Sequence, residues 1–195
     1  MRWVMKRDAD KTRQALIDAA ERLMTHCDDP SLVTARAITK EANVNLAMIN
    51  YFFGSREGLI FEVFSKLQRE AAEKDPGFSK ILEDGIPPKE KLKEIHFRSM
   101  KLMLENYSYC KALTKYILIN RSINGERGSV RFIEEHFKGK KTEGECRLIA
   151  FELSSLHELA VLRKDELHDI CGIDLSDDSI LKRYINENVD RFLGE

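Results

Sequence analysis

Glycine and proline are both scarce in this chain, with 10 and 4 among 195 residues. A sandwich or barrel of short strands needs turn residues at frequent intervals, so their scarcity points to helices. Long apolar runs are missing too. No stretch approaches the roughly 20 residues that a membrane-spanning helix requires. The start, "MRWVMKRDADK", is basic but leads into no apolar signal core, which argues against secretion and for a cytoplasmic protein. The four cysteines, Cys27, Cys110, Cys146 and Cys171, form no CxxC pair. They read as reduced thiols of a cytosolic protein rather than a disulfide frame or a zinc site. A Gly-rich phosphate loop is absent. His96, His136, His157 and His168 fall in separate segments, with no Ser, Cys or acid at a catalytic spacing. Neither an enzyme nor a cofactor is expected. His157, Glu158 and Glu152 invite a metal reading, but helical spacing spreads them over different faces.

What remains is 43% hydrophobic and 33% charged, enough to bury a core beneath a charged surface. Net charge is −1, so only its distribution can speak for nucleic acid. Residues 2–13 hold Arg2, Lys6, Arg7, Lys11 and Arg13 against Asp8 and Asp10. That is a mildly basic arm, or equally a solvated tail.

Apolar residues recurring at three and four (Ala15, Leu16, Ala19, Ala20, Leu23, Met24) predict an amphipathic helix over 9–26, stopped by "CDDPS". Thr34 can cap "ARAITKEA", whose expected buried face is Ala37, Ile38 and Ala42. Asn43 suits the left-handed position of a sharp turn, with Val44 as its apolar plug. Asn45 can cap a short helix over 46–53. Gly54 breaks that helix, and Ser55 caps a long one reaching about Lys74. Helix, tight turn and short helix make a helix-turn-helix pattern. Within the short helix, Ile49, Phe52 and Phe53 face the core with Val44, and Met48 lies at the boundary. Leu46, Ala47, Asn50 and Tyr51 share the opposite side. That small, mixed face suits close approach to base edges in a major groove. An ordinary helical hairpin with a mixed outer face has the same spacing.

The segments "TRQALIDAAERLM" and "TARAITKEANVNLAMINYFFGSREGLIFEVF" carry a more specific signal. In order and spacing, Thr12–Phe64 resembles the DNA-binding domain of the TetR family of bacterial transcriptional regulators. Asn43 stands where that family usually has Gly, Met24 where it has Phe, Arg56 where it has Lys, and Asn50 where most members have Tyr. The Ile-Asn-Tyr-x-Phe form at 49–53 resembles a subset of the family. The resemblance implies an all-α chain with two parts. A three-helix DNA-binding domain would span 1–55. A helical effector-binding and dimerisation domain would span 56–195, with 56–74 as the connecting helix. It also implies double-stranded DNA carrying a palindromic operator as partner, contacted by Thr34, Arg36, Asn45, Leu46, Ala47, Asn50, Tyr51, Ser55 and Arg56.

Beyond Asp75 no motif can be matched, and "DPGFS" and "EDGIPPKE" are expected to break the chain early. Helices are expected from Pro88 to Asn106, Tyr107 to Ile123, Ser129 to Lys138 and Thr142 to Lys164, with a last one capped by Ser176. The first two of these are expected to flank an apolar effector cavity. Its walls would be Phe97, Met100, Met103, Leu104, Tyr116, Ile119 and Asn120, with His157 as a further polar group, so a lipophilic effector is expected. Leu148, Phe151, Ser155, Leu159, Tyr184, Ile185, Val189 and Phe192 are the candidate homodimer surface. A two-fold dimer is what a short recognition helix needs to read a palindrome. Two functions follow: a dimeric, effector-released repressor, or a helical interaction or sensor module that keeps the fold without regulating a promoter.

Overall fold

The computed structural model describes residues 2–27, 32–74, 76–81, 85–120, 122–123 and 127–194. Among the described residues there are eleven helices and no strand. They are α1 (Arg2–Thr25), α2 (Ala35–Glu41), α3 (Ala47–Phe53), α4 (Arg56–Lys74), α5 (Pro76–Ile81), α6 (Pro88–Glu105), α7 (Tyr107–Asn120), α8 (Arg127–Phe137), α9 (Glu143–Leu162), α10 (Lys164–Cys171) and α11 (Asp178–Leu193). The expected all-helical class holds. None of the described helices is long and apolar enough to cross a membrane.

The three-four spacing in α1 works as the sequence suggests: Leu16, Ala19, Ala20 and Met24 are fully buried. The helix begins earlier than the apolar pattern, at Arg2. The "CDDPS" stop at 27–31 falls mostly outside the described residues. Against α1 pack α2, α3 and α4. Polar ties fix the packing at its rim. Lys66 reaches Glu21 at 2.5 Å, Arg22 reaches Glu41 at 3.2 Å, and Arg13 meets Glu62 at 3.0 Å while its guanidinium stacks 5.1 Å from the Phe53 ring centre.

In the second half α6 is the central helix, packed on α8, α9 and α11, with α7 between α4 and α9. Leu92, Met100, Leu113, Ile133, Leu153 and Leu181 are among the largest fully buried side chains of this half. Lys89 and Lys93 on α6 share the Asp190 carboxylate of α11 at 2.7 and 3.0 Å, and together they hold the carboxyl below its ordinary range. Thr142 opens α9 through a reciprocal cap with Glu145.

Four expectations are corrected here. Ala37 is exposed, and Thr39 joins Ile38 as the buried face of α2, its hydroxyl satisfied by the Ala35 carbonyl at 3.0 Å. The segment at Pro76 is a helix rather than a break, because proline fits a first helical turn. A further helix, α10, follows α9. It buries none of its residues, so no apolar stripe could announce it, and Gly172 closes it at φ 67°. Asp177, not Ser176, caps α11, accepting from the Ser179 and Ile180 N–H groups at 2.8 and 3.0 Å. Ser176 instead bonds back to Asp174.

Candidate nucleic-acid interface and polar cavity

The turn between α2 and α3 is closed by backbone bonds. The Asn43 N–H donates to the Lys40 carbonyl at 3.2 Å and the Val44 N–H to the Thr39 carbonyl at 3.0 Å. This pair of bonds requires a left-handed residue between them, and Asn43 has φ 54°. Both helix starts are capped: Thr34 Oγ1 accepts from the Ala37 N–H at 3.1 Å, and Asn45 Oδ1 from the Ala47 N–H at 2.8 Å. At the far end Gly54 turns the chain at φ 73°, and Ser55 Oγ accepts from the Gly58 N–H at 3.0 Å to start α4. Satisfied backbone groups thus close the turn and start both short helices.

Ile49 is fully buried, with Val44, Met48, Phe52 and Phe53 packed against the core around it. The other side of α3 is open. Leu46 is 45% and Tyr51 74% exposed, and Ala47 and Asn50 lie exposed between them. Thr34, Arg36 and Asn45 are exposed as well. Two candidates behave differently. Ser55 is half-buried and spends its hydroxyl on the α4 cap. Arg56, whose side chain is 21% exposed, turns inward: Nε donates to the Val33 carbonyl at 2.5 Å and Nη1 pairs with Glu57 at 3.1 Å. It ties the strand of chain before α2 to the start of α4.

A cavity of about 140 Å³ lies between α6, α8 and α9, lined by Ile95, His96, Ser99, Met100, Met103, Ser129, Ser154, His157 and Glu158. Of the expected residues only Met100, Met103 and His157 line it. Phe97 points its ring toward Lys101 and Lys182, 5.9 and 4.7 Å from its centre. Leu104 is half-buried core. Ile119 is 71% exposed, and the exposed Asn120 amide bonds back to the Tyr116 carbonyl at 3.0 Å. Tyr116 faces α4, its ring 6.1 Å from that of Phe61. This cavity thus lies between α6, α8 and α9, and none of the expected α7 residues lines it. Helical rotation is the reason, since it aims α7 at α4.

Two histidines dominate this cavity. His96 and His157 are both buried, and their Nδ1 atoms lie 3.0 Å apart. In a hydrogen bond between neutral rings one Nδ1 donates and the other accepts, so the two tautomers are complementary. Burial, and secondarily the neighbouring His96, push the His157 pKa well below 6.5. Its other nitrogen, Nε2, is buried and has no hydrogen-bond partner among the described residues. Sequence reasoning passed over His96 and Ser99, although both share the three-four spacing of Met100 and Met103. Nearby in the fold, burial and the Glu158 carboxylate raise the Cys110 thiol to about 12, leaving it protonated at neutral pH.

The candidate dimer residues divide in the same way. On α9, Leu148 and Leu159 are 49% and 45% exposed, and Phe151 and Ser155 are half-buried. On α11, Tyr184 and Phe192 are half-buried, but Ile185 and Val189 are only 1% and 0% exposed within the single chain. These two belong to the core of the single chain and are unavailable to a second subunit.

No family model and no curated protein matches the chain. Solved structures do. NalD, described as the secondary repressor of the MexAB-OprM multidrug efflux pump in Pseudomonas aeruginosa, aligns with 95% of this chain and 97% of its own at 19% identity, with a TM-score of 0.50. A TetR-like transcriptional regulator from Rhodococcus sp. RHA1 aligns over 94% and 97% at 16% identity, with a TM-score of 0.48. At such identities the likeness to NalD is one of fold.

Proposed function

We propose that this chain is a homodimeric DNA-binding regulator of transcription, of the kind the TetR resemblance implies. In that reading residues 1–55 bind a palindromic operator, residues 56–195 dimerise, and a small molecule in the α6–α8–α9 cavity releases the DNA. Repression is the expected mode, as in NalD, whose fold it shares. The observation that carries this is the open side of α3. Leu46, Ala47, Asn50 and Tyr51 stand exposed on a helix whose opposite side is anchored by Ile49 and whose entry is locked by Asn43 and Asn45. A fold that exposes a large aromatic and a leucine together on a rigid short helix presents them to a partner. A major groove admits one such helix, with Asn50 and Tyr51 able to reach base edges or phosphates. Two copies related by two-fold symmetry double the contacts on a palindrome.

The α9 face around Leu148 and Leu159 is the surface proposed for the second copy, joined by Phe151, Ser155, Tyr184 and Phe192. The test begins with the DNA upstream of the coding sequence. A palindromic fragment from it shifts in a gel at low salt, and affinity falls steeply as salt rises while exceeding that for unrelated DNA. Salt-independent binding, or equal affinity for any DNA, favours the alternative of an interaction or sensor module.

A further inference from the structure

We infer that the α6–α8–α9 cavity takes a compact, hydroxyl-bearing molecule without negative charge, and not the bulky lipophile that the sequence suggests. The inference rests on the effector-responsive reading above and specifies its ligand. Three observations lead to it.

Size comes first. At about 140 Å³ the cavity matches the scale of a cavity of about 150 Å³ known to accept benzene. Its enclosed part therefore takes about six to eight non-hydrogen atoms, well short of the roughly 300 Å³ at which pockets for drug-sized ligands begin. Wall chemistry comes second. An apolar cavity of this size would select a hydrocarbon. Here Ile95, Met100 and Met103 form an apolar side, while Ser99, Ser129, Ser154 and the two histidines make the other side polar. The polar groups and the apolar ones together fit a molecule with a hydrocarbon body and a hydroxyl. The third observation is the His157 Nε2 atom, buried and without a hydrogen-bond partner among the described residues. His157 is only 2% exposed, and its Nδ1 is already committed to His96. A hydroxyl both donates and accepts, so it satisfies Nε2 in either tautomer of the pair. A carboxylate has no cationic side chain among the lining residues to meet it, and it would face Glu158. An anion is therefore disfavoured.

The experiment uses the full chain without DNA and three probes: phenol, benzene and propionate. Binding is followed by calorimetry and by the ¹⁵N chemical shifts of the histidine rings. Phenol is expected to bind about tenfold or more tighter than benzene, the ratio set by one net hydrogen bond. It should also move the Nε2 resonance of His157. Propionate is expected not to bind. His157→Leu brings the phenol-to-benzene ratio close to one. If that variant fails to fold, Ser154→Ala and the ring resonances of the parent carry the test. Benzene binding as well as phenol, propionate binding more tightly, a silent His157 resonance, or no binding by phenol each overturns the inference. Adding phenol to the complex with the palindromic fragment tests the effector reading separately. Phenol that binds the protein but leaves the DNA bound upholds the ligand class and sinks the effector role.

Discussion

Tyr116 on α7 stands directly over Gly58 on α4: a Cβ built on Gly58 would lie 3.0 Å from the Tyr116 hydroxyl oxygen and only 2.2 Å from the Phe53 carbonyl oxygen. Gly58 is thus where the end of α3, the start of α4 and the middle of α7 close on one another. The Phe61 ring, 6.1 Å from that of Tyr116, continues the seam along α4.

Gly58→Ala is the first prediction. The added methyl cannot coexist with a backbone oxygen at 2.2 Å, so the end of α3 must shift. Overpacking of this kind costs about 1–3 kcal/mol. A lowered urea midpoint together with weakened binding to the palindromic fragment is expected. Tyr116→Phe keeps the ring on Phe61 and should change stability far less. An unaltered midpoint for Gly58→Ala would show that the seam is loose.

The second prediction separates contact from scaffold on the DNA side. Ala47 and Tyr51 are exposed, so Ala47→Asp and Tyr51→Ala should leave stability within about 0.5 kcal/mol. Ala47→Asp sets a carboxylate against phosphates and should lower affinity at least about tenfold. Arg56→Glu should lower both stability and affinity, since it removes the bond to Val33 that holds the chain before α2. Equal affinity for parent and Ala47→Asp would place the interface elsewhere.

Assembly gives a third. Leu148→Glu and Leu159→Glu alter exposed positions and should yield folded monomers by sedimentation. Apolar area on this face stabilises association at about 25 cal/mol per Å² before ordering costs are subtracted. Ile185→Glu instead places a charge in the core and should give unfolded or insoluble protein. A parent chain that sediments as a monomer at micromolar concentration contradicts the dimer.

The fourth concerns pH. Burial and His96 hold the His157 pKa well below its ordinary 6.5 in the folded chain. Above pH 6.5 both states are neutral and the residue contributes nothing. Below it the unfolded chain takes up a proton that the folded chain refuses. Stability therefore falls, by up to about 1.4 kcal/mol per pH unit, until the folded pKa is reached. His168 acts in the opposite sense, its pKa raised by the hydrogen bond to Asp169. Comparing the parent with His157→Leu cancels that contribution. Between pH 7 and 5 the parent should lose more stability in urea melts than the variant does.

Local chemistry decided the parts that could be read from the residues alone. Asn43, Asn45, Thr34, Ser55 and Gly54 act on backbone groups within a few positions of themselves, so their turns and caps were legible. The three-four spacing around Leu16, Ala19 and Ala20 named the inner side of α1, and that around Ile49 the inner side of α3, because a helix that buries one stripe must repeat it at its own period. Spacing cannot say which neighbour a stripe meets. Tyr116 and Met100 both carry a helical period, yet one faces α4 and the other a cavity shared with α9. Ile185 and Leu159 both suit an interface by spacing, yet the first is buried within the chain and the second is 45% exposed. The inward turn of Arg56 depends on a carbonyl twenty-three positions away, and the His96–His157 pair joins positions sixty-one apart. Capping and periodicity are properties of a segment and survive in the sequence. Rotation of one helix against another is settled by the packing of the whole core, and only the tertiary structure decided it.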